Sequence, residues 1–268
     1  EQGHCEAQYS LGRKYSEDKS RHKDNEQAIF WLKKAALQGH TFASNALGWI
    51  LDRGEDPNYK EAVAWYQIAA ESGMSYAQNN LGWMYRNGNG VAQDYALAFF
   101  WYKQAALQGH SYAQDNLADL YEDGKGVAQN KTLAAFWYLK SAQQGNRHAQ
   151  FQIAWDYNAG EGVDQDYKQA MYWYLKAAAQ ESVGAYVNIG YMYKHGQGVE
   201  KDYQAAFEWF MKAAECNDAT AWYNLAIMYH YGEGRPVDLR QALDLYRKVQ
   251  ASGTRDVSQE IREIEDLL

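Results

Sequence analysis

The 268-residue chain has only two cysteines and two prolines, and acidic residues exceed basic ones by eight. The scarcity of proline, with no Ser/Pro-rich or low-complexity stretch, leaves no sign of an interdomain linker. Two cysteines that lie far apart, Cys5 and Cys216, cannot form a disulfide framework. We therefore expect one continuous domain over residues 1–268. The sequence is compatible with a cytoplasmic location and equally with a periplasmic or secreted one.

Several function classes lack the residues that they need. Clustered Lys and Arg, which nucleic-acid binding requires, are missing from a chain of net charge −8. No apolar run approaches the roughly 18 residues of a spanning helix, which argues against membrane insertion. No metal-ligand spacing, phosphate loop or Gly-x-Ser-x-Gly elbow occurs. The sequence thus predicts a non-enzymatic protein without a cofactor or metal.

What the chain does have is a unit that recurs every 36 residues. The unit begins at an alanine, and a leucine or isoleucine and then a tyrosine follow at intervals of four, with a small residue directly after the leucine. These offsets place the side chains on one face of a helix, which we call helix A. The alanine column is Ala7, Ala43, Ala77, Ala113, Ala149, Ala185 and Ala221, with two residues deleted between Ala43 and Ala77. A fixed period of this length is typical of a stacked solenoid.

Each helix A is followed by a turn and a second helix, helix B. The turn is Gly-x-Gly in five repeats, as in Gly124-Lys125-Gly126, and the last of these continues atypically with Arg235-Pro236. The first two repeats have Asp18-Lys19-Ser20 and Gly54-Glu55-Asp56-Pro57 instead. An Asp or Asn then stands ready to cap helix B. An alanine and, three residues later, a tryptophan predict its core face. Helix B is expected to end near Gly39, Gly73, Gly109, Gly145 or Asn217.

These motifs resemble the Sel1-like repeat family, a relative of the tetratricopeptide repeat, in register over seven copies. The resemblance implies an all-α, right-handed α-solenoid that serves as a scaffold or adaptor for protein complexes, most often in bacteria. The expected repeats span residues 5–40, 41–74, 75–110, 111–146, 147–182, 183–218 and 219–253. A C-terminal capping helix is expected over 254–268, with Val257, Ile261, Ile264 and Leu268 forming its apolar stripe.

The first residues, Glu1-Gln2-Gly3-His4, match the end of a helix B, so we expect the numbered chain to begin inside a larger protein. An apolar face of the first repeat that is left uncovered at that end would allow a dimer, although a monomer is favoured. His4, His40 and His110 share one turn position and are interpreted as structural or solvated.

The helix A positions at offsets two, six and nine or ten from the alanine column are expected to face away from the core. The small residues on helix A, together with the family resemblance, place these positions on a concave groove. The predicted partner-binding residues are Trp49, Asn79, Trp83, Arg86, Asp115, Asp119, Glu122, Phe151, Trp155, Tyr191, Lys194 and Tyr223. Aromatic side chains would anchor a partner, and Asn45, Asn79 and Asn116 would hydrogen-bond its backbone.

The carboxylates Asp115, Asp119, Glu122 and Asp123 have three interpretations: a solvated acidic face, a patch for a basic partner segment, or a divalent cation site. Three functions follow for the whole chain. The favoured one is a non-catalytic scaffold that binds a protein partner on the concave surface. The alternatives are an immunity protein or inhibitor that neutralises a bacterial toxin, and a hydrolase that uses Asp119 or Glu122.

Overall fold

The computed structural model describes residues 2–17, 24–54 and 56–268, and these form fifteen α-helices without a strand. The chain divides into two compact units, residues 1–144 and 145–268. The first unit contains α1 (Gln2–Glu17), α2 (Asn25–Ala36), α3 (Thr41–Arg53), α4 (Tyr59–Glu71), α5 (Ser75–Asn87), α6 (Tyr95–Leu107), α7 (Ser111–Asp123) and α8 (Lys131–Gln143). The second contains α9 (Arg147–Ala159), α10 (Tyr167–Ala178), α11 (Val183–His195), α12 (Tyr203–Glu215), α13 (Ala219–Tyr231), α14 (Leu239–Ser252) and α15 (Ser258–Glu265).

Each repeat is one helical hairpin. Odd-numbered helices up to α13 are the A helices, and the even-numbered ones are the B helices. Within each unit a B helix packs both on the A helix of its own repeat and on the A helix of the next. The prediction of an all-α solenoid is confirmed. The single-domain assignment over 1–268 stays a prediction.

The predicted caps of the B helices are all present. The side-chain oxygen of each Asp or Asn accepts a hydrogen bond from a backbone N–H in the first turn of its helix, as Asp94 does from Ala96 and Leu97 at 2.9 Å. The other caps are Asp24, Asn58, Asn130, Asp166, Asp202 and Asp238. The B helices are followed by a residue with positive φ at each expected position, for example Gly109 at 87° and Asn217 at 60°.

The second glycine of the Gly-x-Gly turn has two reasons to be glycine. Gly198 has a φ of 70°, and a Cβ at this position would lie 2.6 Å from the carbonyl carbon of Tyr167, at the start of the preceding helix B. Only a residue without a side chain allows this close approach of two backbones. Of the atypical turns, Asp18-Lys19-Ser20 and Glu55 lie outside the described residues.

The main core side chain of helix B is one residue later than the sequence indicated. Only Trp65 and Trp173 of the tryptophan column are buried, whereas the next residue is fully enclosed in every repeat. We call this column the tyrosine column of helix B, and its members are Leu32, Tyr66, Tyr102, Tyr138, Tyr174, Phe210 and Tyr246. Each of these residues follows the alanine of its own helix B by four positions, as Tyr102 follows Ala98, so it shares the face of that alanine. The tryptophans lie at the border of that face.

The small residue of helix A makes room for this ring. A Cβ on Gly82 would lie 2.7 Å from the ring of Tyr102, and one on Gly48 would lie 2.8 Å from that of Tyr66. The small column thus serves the packing of the two helices within a repeat. It therefore gives no independent support for placing helix A on a concave side.

The C-terminal helix α15 packs on α14, as a cap requires. Val257 and Ile264 are fully buried, and Ile261 is half-buried. Leu268 was expected to complete this stripe, but it lies beyond the end of the helix and is exposed.

Candidate functional site

Two tryptophans stand out on the A helices of the first unit. Trp49 on α3 and Trp83 on α5 are 46% and 39% exposed. Both occupy offset six from the alanine column, which turns away from helix B. The half-buried Asn45 and Asn79 lie one helical turn before them. We call this set, together with Arg13, the first A surface.

A cleft of about 270 Å³ opens on this surface between α1 and α3. It is lined by Arg13, Ser16, Asn45, Ala46, Trp49 and Ile50. The cleft combines an indole ring, two aliphatic side chains, an amide, a hydroxyl and a guanidinium. Such a mixture of an apolar anchor with a few polar groups is typical of a site that holds part of a partner.

The asparagines of this surface form hydrogen bonds between successive repeats. Asn80 Nδ2 donates to Asn45 Oδ1 at 3.3 Å, and Asn116 Nδ2 donates to Asn79 Oδ1 at 3.2 Å. Each amide has two donor hydrogens and an oxygen with two lone pairs. These bonds hold Asn45 and Asn79 in place while using only part of the hydrogen-bonding capacity of each amide.

Arg86 and Asp119, two of the predicted partner-binding residues, bind each other. Arg86 Nη1 lies 3.0 Å from Asp119 Oδ2 and also donates to Asn116 Oδ1 at 3.2 Å. The hydroxyl of Tyr138 donates to Asp119 Oδ1 at 2.9 Å. Burial alone would lower the pKa of Arg86, but attraction to Asp119 outweighs it and raises that pKa. Both residues therefore tie neighbouring repeats together.

Offset nine of helix A is not an outward position. Asp52 at this offset is nearly enclosed and accepts a hydrogen bond from the hydroxyl of Tyr66 at 2.8 Å. Burial raises the pKa of Asp52, against the opposing effect of that hydrogen bond. Burial and the nearby Asp52 carboxylate both raise the pKa of Tyr66. The prediction that this offset faces outward is wrong at Asp52, because Tyr66 of the tyrosine column of helix B reaches across to it. The sequence analysis did not identify that column as part of the core.

The acidic cluster of the fourth repeat is largely matched by cations of the same chain. Besides the pair between Asp119 and Arg86, Lys131 Nζ lies 3.1 Å from Glu122 Oε1, and Lys125 Nζ lies 2.8 Å from Asp123 Oδ2. Three of the four carboxylates thus face a positive group. This arrangement weakens the hypothesis of a patch for a basic segment. The cation-site interpretation stays a hypothesis, because Asp115, Asp119 and His148 each offer a ligand atom and these atoms lie within 4.8 Å of one another.

In the second unit, Trp155 on α9 and Tyr191 on α11 are 38% and 46% exposed, again at offset six. Phe151 and Tyr223, at offset two, are half-buried, and the ring of Phe151 lies 5.7 Å from that of Tyr174. Lys194 was also expected on this surface. It is buried instead, with its Nζ 2.7 Å from Glu233 Oε2 in the Gly-x-Gly turn of the next repeat.

The structure also exposes aromatic side chains that the sequence reading did not select. Phe30, Phe100 and Phe136 lie on the outer face of the B helices, each packed edge-on against the tryptophan that follows it. An aromatic residue directly before the tryptophan column is the sequence signal that could have identified them. His40 and His110 are structural, as expected, because each accepts a backbone N–H through Nδ1 at the start of the next helix A.

Comparison with known proteins gives close relatives in bacteria. The Sel1-repeat-containing protein YbeQ of Escherichia coli (strain K12) is 96% identical over an alignment that covers 35% of this chain and 40% of that protein. The solved structure of c5321, described as a protective antigen present in uropathogenic Escherichia coli strains, superposes with a TM-score of 0.89 at 36% identity. That match covers 94% of this chain and 55% of c5321. This chain therefore spans about half or less of the length of these two relatives.

A Sel1 repeat protein from Oxalobacter formigenes matches with a TM-score of 0.73 and 32% identity over 80% of this chain and 86% of its own. Within the described residues, no helix has the length and apolar character that a membrane crossing requires. The model of the Sel1 repeat matches residues 5–40, 41–74, 75–110, 111–146, 147–182, 183–218 and 219–248. The chain therefore belongs to the Sel1 repeat family, whose members are generally non-enzymatic scaffolds that bind protein partners.

Proposed function

We propose that this chain is a scaffold that binds an extended segment of a protein partner on the first A surface. The observation that carries the proposal is the exposed indole of Trp49 beside the cleft between α1 and α3. Large aromatic rings next to polar groups dominate the energetics of protein interfaces. Family membership supports the general function, and the choice of this surface is our inference.

The mechanism assigns different roles to the side chains of the surface. Trp49 and Trp83 bury apolar surface away from water when the partner covers them, and this burial provides most of the affinity. Asn45 and Asn79, held by their neighbours, use their remaining donors and acceptors on the partner backbone. Because the amides are already ordered, little side-chain entropy is lost on binding. Arg86 and Asp119 join α5 to α7 through their ion pair and so hold neighbouring A helices together.

Capture of partners from a lysate of the source cells tests the proposal. The immobilised chain is compared with a double variant, Trp49→Ala/Trp83→Ala, and with a matched control, Phe30→Ala/Phe100→Ala. The control removes two aromatic side chains of similar exposure from the B helices. Circular dichroism and thermal unfolding establish that all three proteins are folded to the same extent.

A partner that the parent and the control retain, and that the tryptophan variant loses, supports binding on the first A surface. Equal capture by all three proteins, or loss only in the phenylalanine variant, contradicts it. The affinity of the captured partner then separates the two binding functions. Very tight binding to one enzyme, with loss of that enzyme's activity, would favour the inhibitor over the general scaffold.

A further inference from the structure

A second cleft, of about 240 Å³, lies in the second unit where α13 meets the connection from α14 to α15. Its lining residues are Ala219, Thr220, Tyr223, Val249, Thr254 and Arg255. Ala219 and the Tyr223 ring offer apolar surface beside the buried Val249, and Thr220 and Arg255 carry hydrogen-bond donors. The Thr254 hydroxyl is already bonded to Ser252 Oγ at 2.8 Å. Aspartate and glutamate are absent from this lining.

The cation of this cleft lies over an aromatic ring. The guanidinium of Arg255 lies 4.0 Å from the ring centre of Tyr223. Within the part of the chain that the structure describes, Arg255 makes no hydrogen bond or ion pair of its own. A guanidinium stacked on a ring keeps its five N–H donors in a fixed plane, so a bidentate bond to a carboxylate costs little further entropy.

Two carboxylates that adjoin the cleft in sequence, Asp256 and Asp218, already accept hydrogen bonds from the chain itself. Asp256 Oδ1 accepts hydrogen bonds from both the backbone N–H and the hydroxyl of Ser258, at 3.0 and 2.6 Å. Asp218 Oδ1 accepts the backbone N–H of Ala221 at 2.8 Å. Neither carboxylate forms an ion pair with Arg255, so the charge of the guanidinium is left for a ligand from outside.

We propose that this cleft binds a glutamate or aspartate side chain of an extended partner segment, next to an apolar residue of that segment. Arg255 pairs with the carboxylate, the Thr220 hydroxyl donates to one of its remaining lone pairs, and the Tyr223 ring covers the apolar neighbour. Tyr223 occupies the same helix A offset as Asn45 and Asn79 of the first unit. The inference rests on the proposed function, because it names the chemistry of a segment that such a scaffold binds.

Methyl NMR of Val249 during peptide titration tests the cleft directly. The probe is the blocked peptide acetyl-Ala-Leu-Glu-Leu-Ala-amide, and its counterpart carries Gln in place of Glu. We expect the Glu peptide to shift the Val249 signals and to bind about tenfold or more tightly than the Gln peptide, because only the former offers a charged acceptor. Arg255→Gln should remove that preference. Arg240→Gln, which changes another exposed arginine of the same unit, should retain it.

Equal affinity for the two peptides, or an unchanged preference in Arg255→Gln, would overturn the inference. So would selective binding of acetyl-Ala-Leu-Leu with a free C-terminal carboxylate, because that result assigns the cleft to a chain end. Capture with Arg255→Gln separates this inference from the proposed function. If Trp49→Ala/Trp83→Ala loses the partner while the peptides fail, only the cleft is wrong. If every variant retains the partner and the peptides fail, both are wrong.

Discussion

Tyr138 and Asp119 are joined by a hydrogen bond of 2.9 Å from the phenol hydroxyl to Oδ1, and Arg86 approaches the other carboxylate oxygen at 3.0 Å. Asp119 thus receives one donor from helix B of its own repeat and one from helix A of the preceding repeat. A residue that the sequence placed on a binding surface is therefore a connection between repeats.

Removal of this carboxylate should destabilise the fold. Asp119→Ala removes the carboxylate that accepts from the Tyr138 hydroxyl and pairs with the half-buried Arg86, and we expect a loss of about 2–3 kcal/mol in the free energy of unfolding. Urea denaturation measures it. The matched control is Asp123→Ala, which breaks an exposed ion pair with Lys125 and should cost less than about 1 kcal/mol. Equal losses would mean that Asp119 does not join the repeats.

The tyrosine column, rather than the tryptophan column, should dominate the stability of helix B. Tyr138 is fully enclosed, whereas Trp137 is half-buried. Tyr138→Ala should cost about 3–5 kcal/mol through the cavity that it leaves, and Trp137→Ala should cost clearly less. Thermal and urea unfolding of the two variants compare them. A larger loss for Trp137→Ala would restore the tryptophan as the principal core residue.

Glu181 occupies a position where other repeats have glycine, and its φ is 62°. A side chain in this left-handed region costs about 1–2 kcal/mol, of which glycine's greater freedom in the unfolded chain cancels part. We expect Glu181→Gly to raise the free energy of unfolding by about 0.5–1 kcal/mol. Glu181→Ala is the control, since it removes the charge but keeps Cβ. An equal gain from the alanine variant would attribute the effect to charge and not to φ.

His110 should make the stability depend on pH. Its Nδ1 accepts the N–H of Ala113 at 3.2 Å, which requires a neutral ring, and burial lowers the pKa of His110. The neighbouring groups are the rings of Tyr76 and Tyr112. Since the folded protein binds this proton more weakly than the unfolded chain, the contribution of His110 is complete above the unfolded pKa of about 6.5. It is lost as the pH falls through the folded value.

The measurement is the free energy of unfolding at several pH values between 7.5 and 5. His110→Asn should show a shallower decline toward acid, because asparagine caps at any pH, as Asn146 does for Ala149 at 3.1 Å. His4→Gln, a change of an exposed histidine, should leave the decline as it is. An unaltered decline in His110→Asn would exclude His110 as its origin.

The repeat and its local geometry follow from the order of the residues alone. Helix periodicity, the capping Asp or Asn and the positive-φ glycines depend on interactions within a few residues, so the amino-acid sequence is enough to assign them. Seven copies in register define the helical hairpins and carry the resemblance to the Sel1-like repeat. The outward direction of Trp49, Trp83, Trp155 and Tyr191 also followed from helix geometry alone.

Tertiary structure decided which polar side chains remain available for a partner. Asp52, Arg86 and Lys194 belong to one column of helix A, yet each contacts a different kind of neighbour. These neighbours are the phenol of Tyr66 for Asp52, the carboxylate of Asp119 in the next repeat for Arg86, and Glu233 in the turn of the next repeat for Lys194. The cleft beside Arg255 likewise unites residues from three segments of the chain. Long side chains reach partners several ångströms away in other repeats, and periodicity along one helix contains no information about where those partners lie.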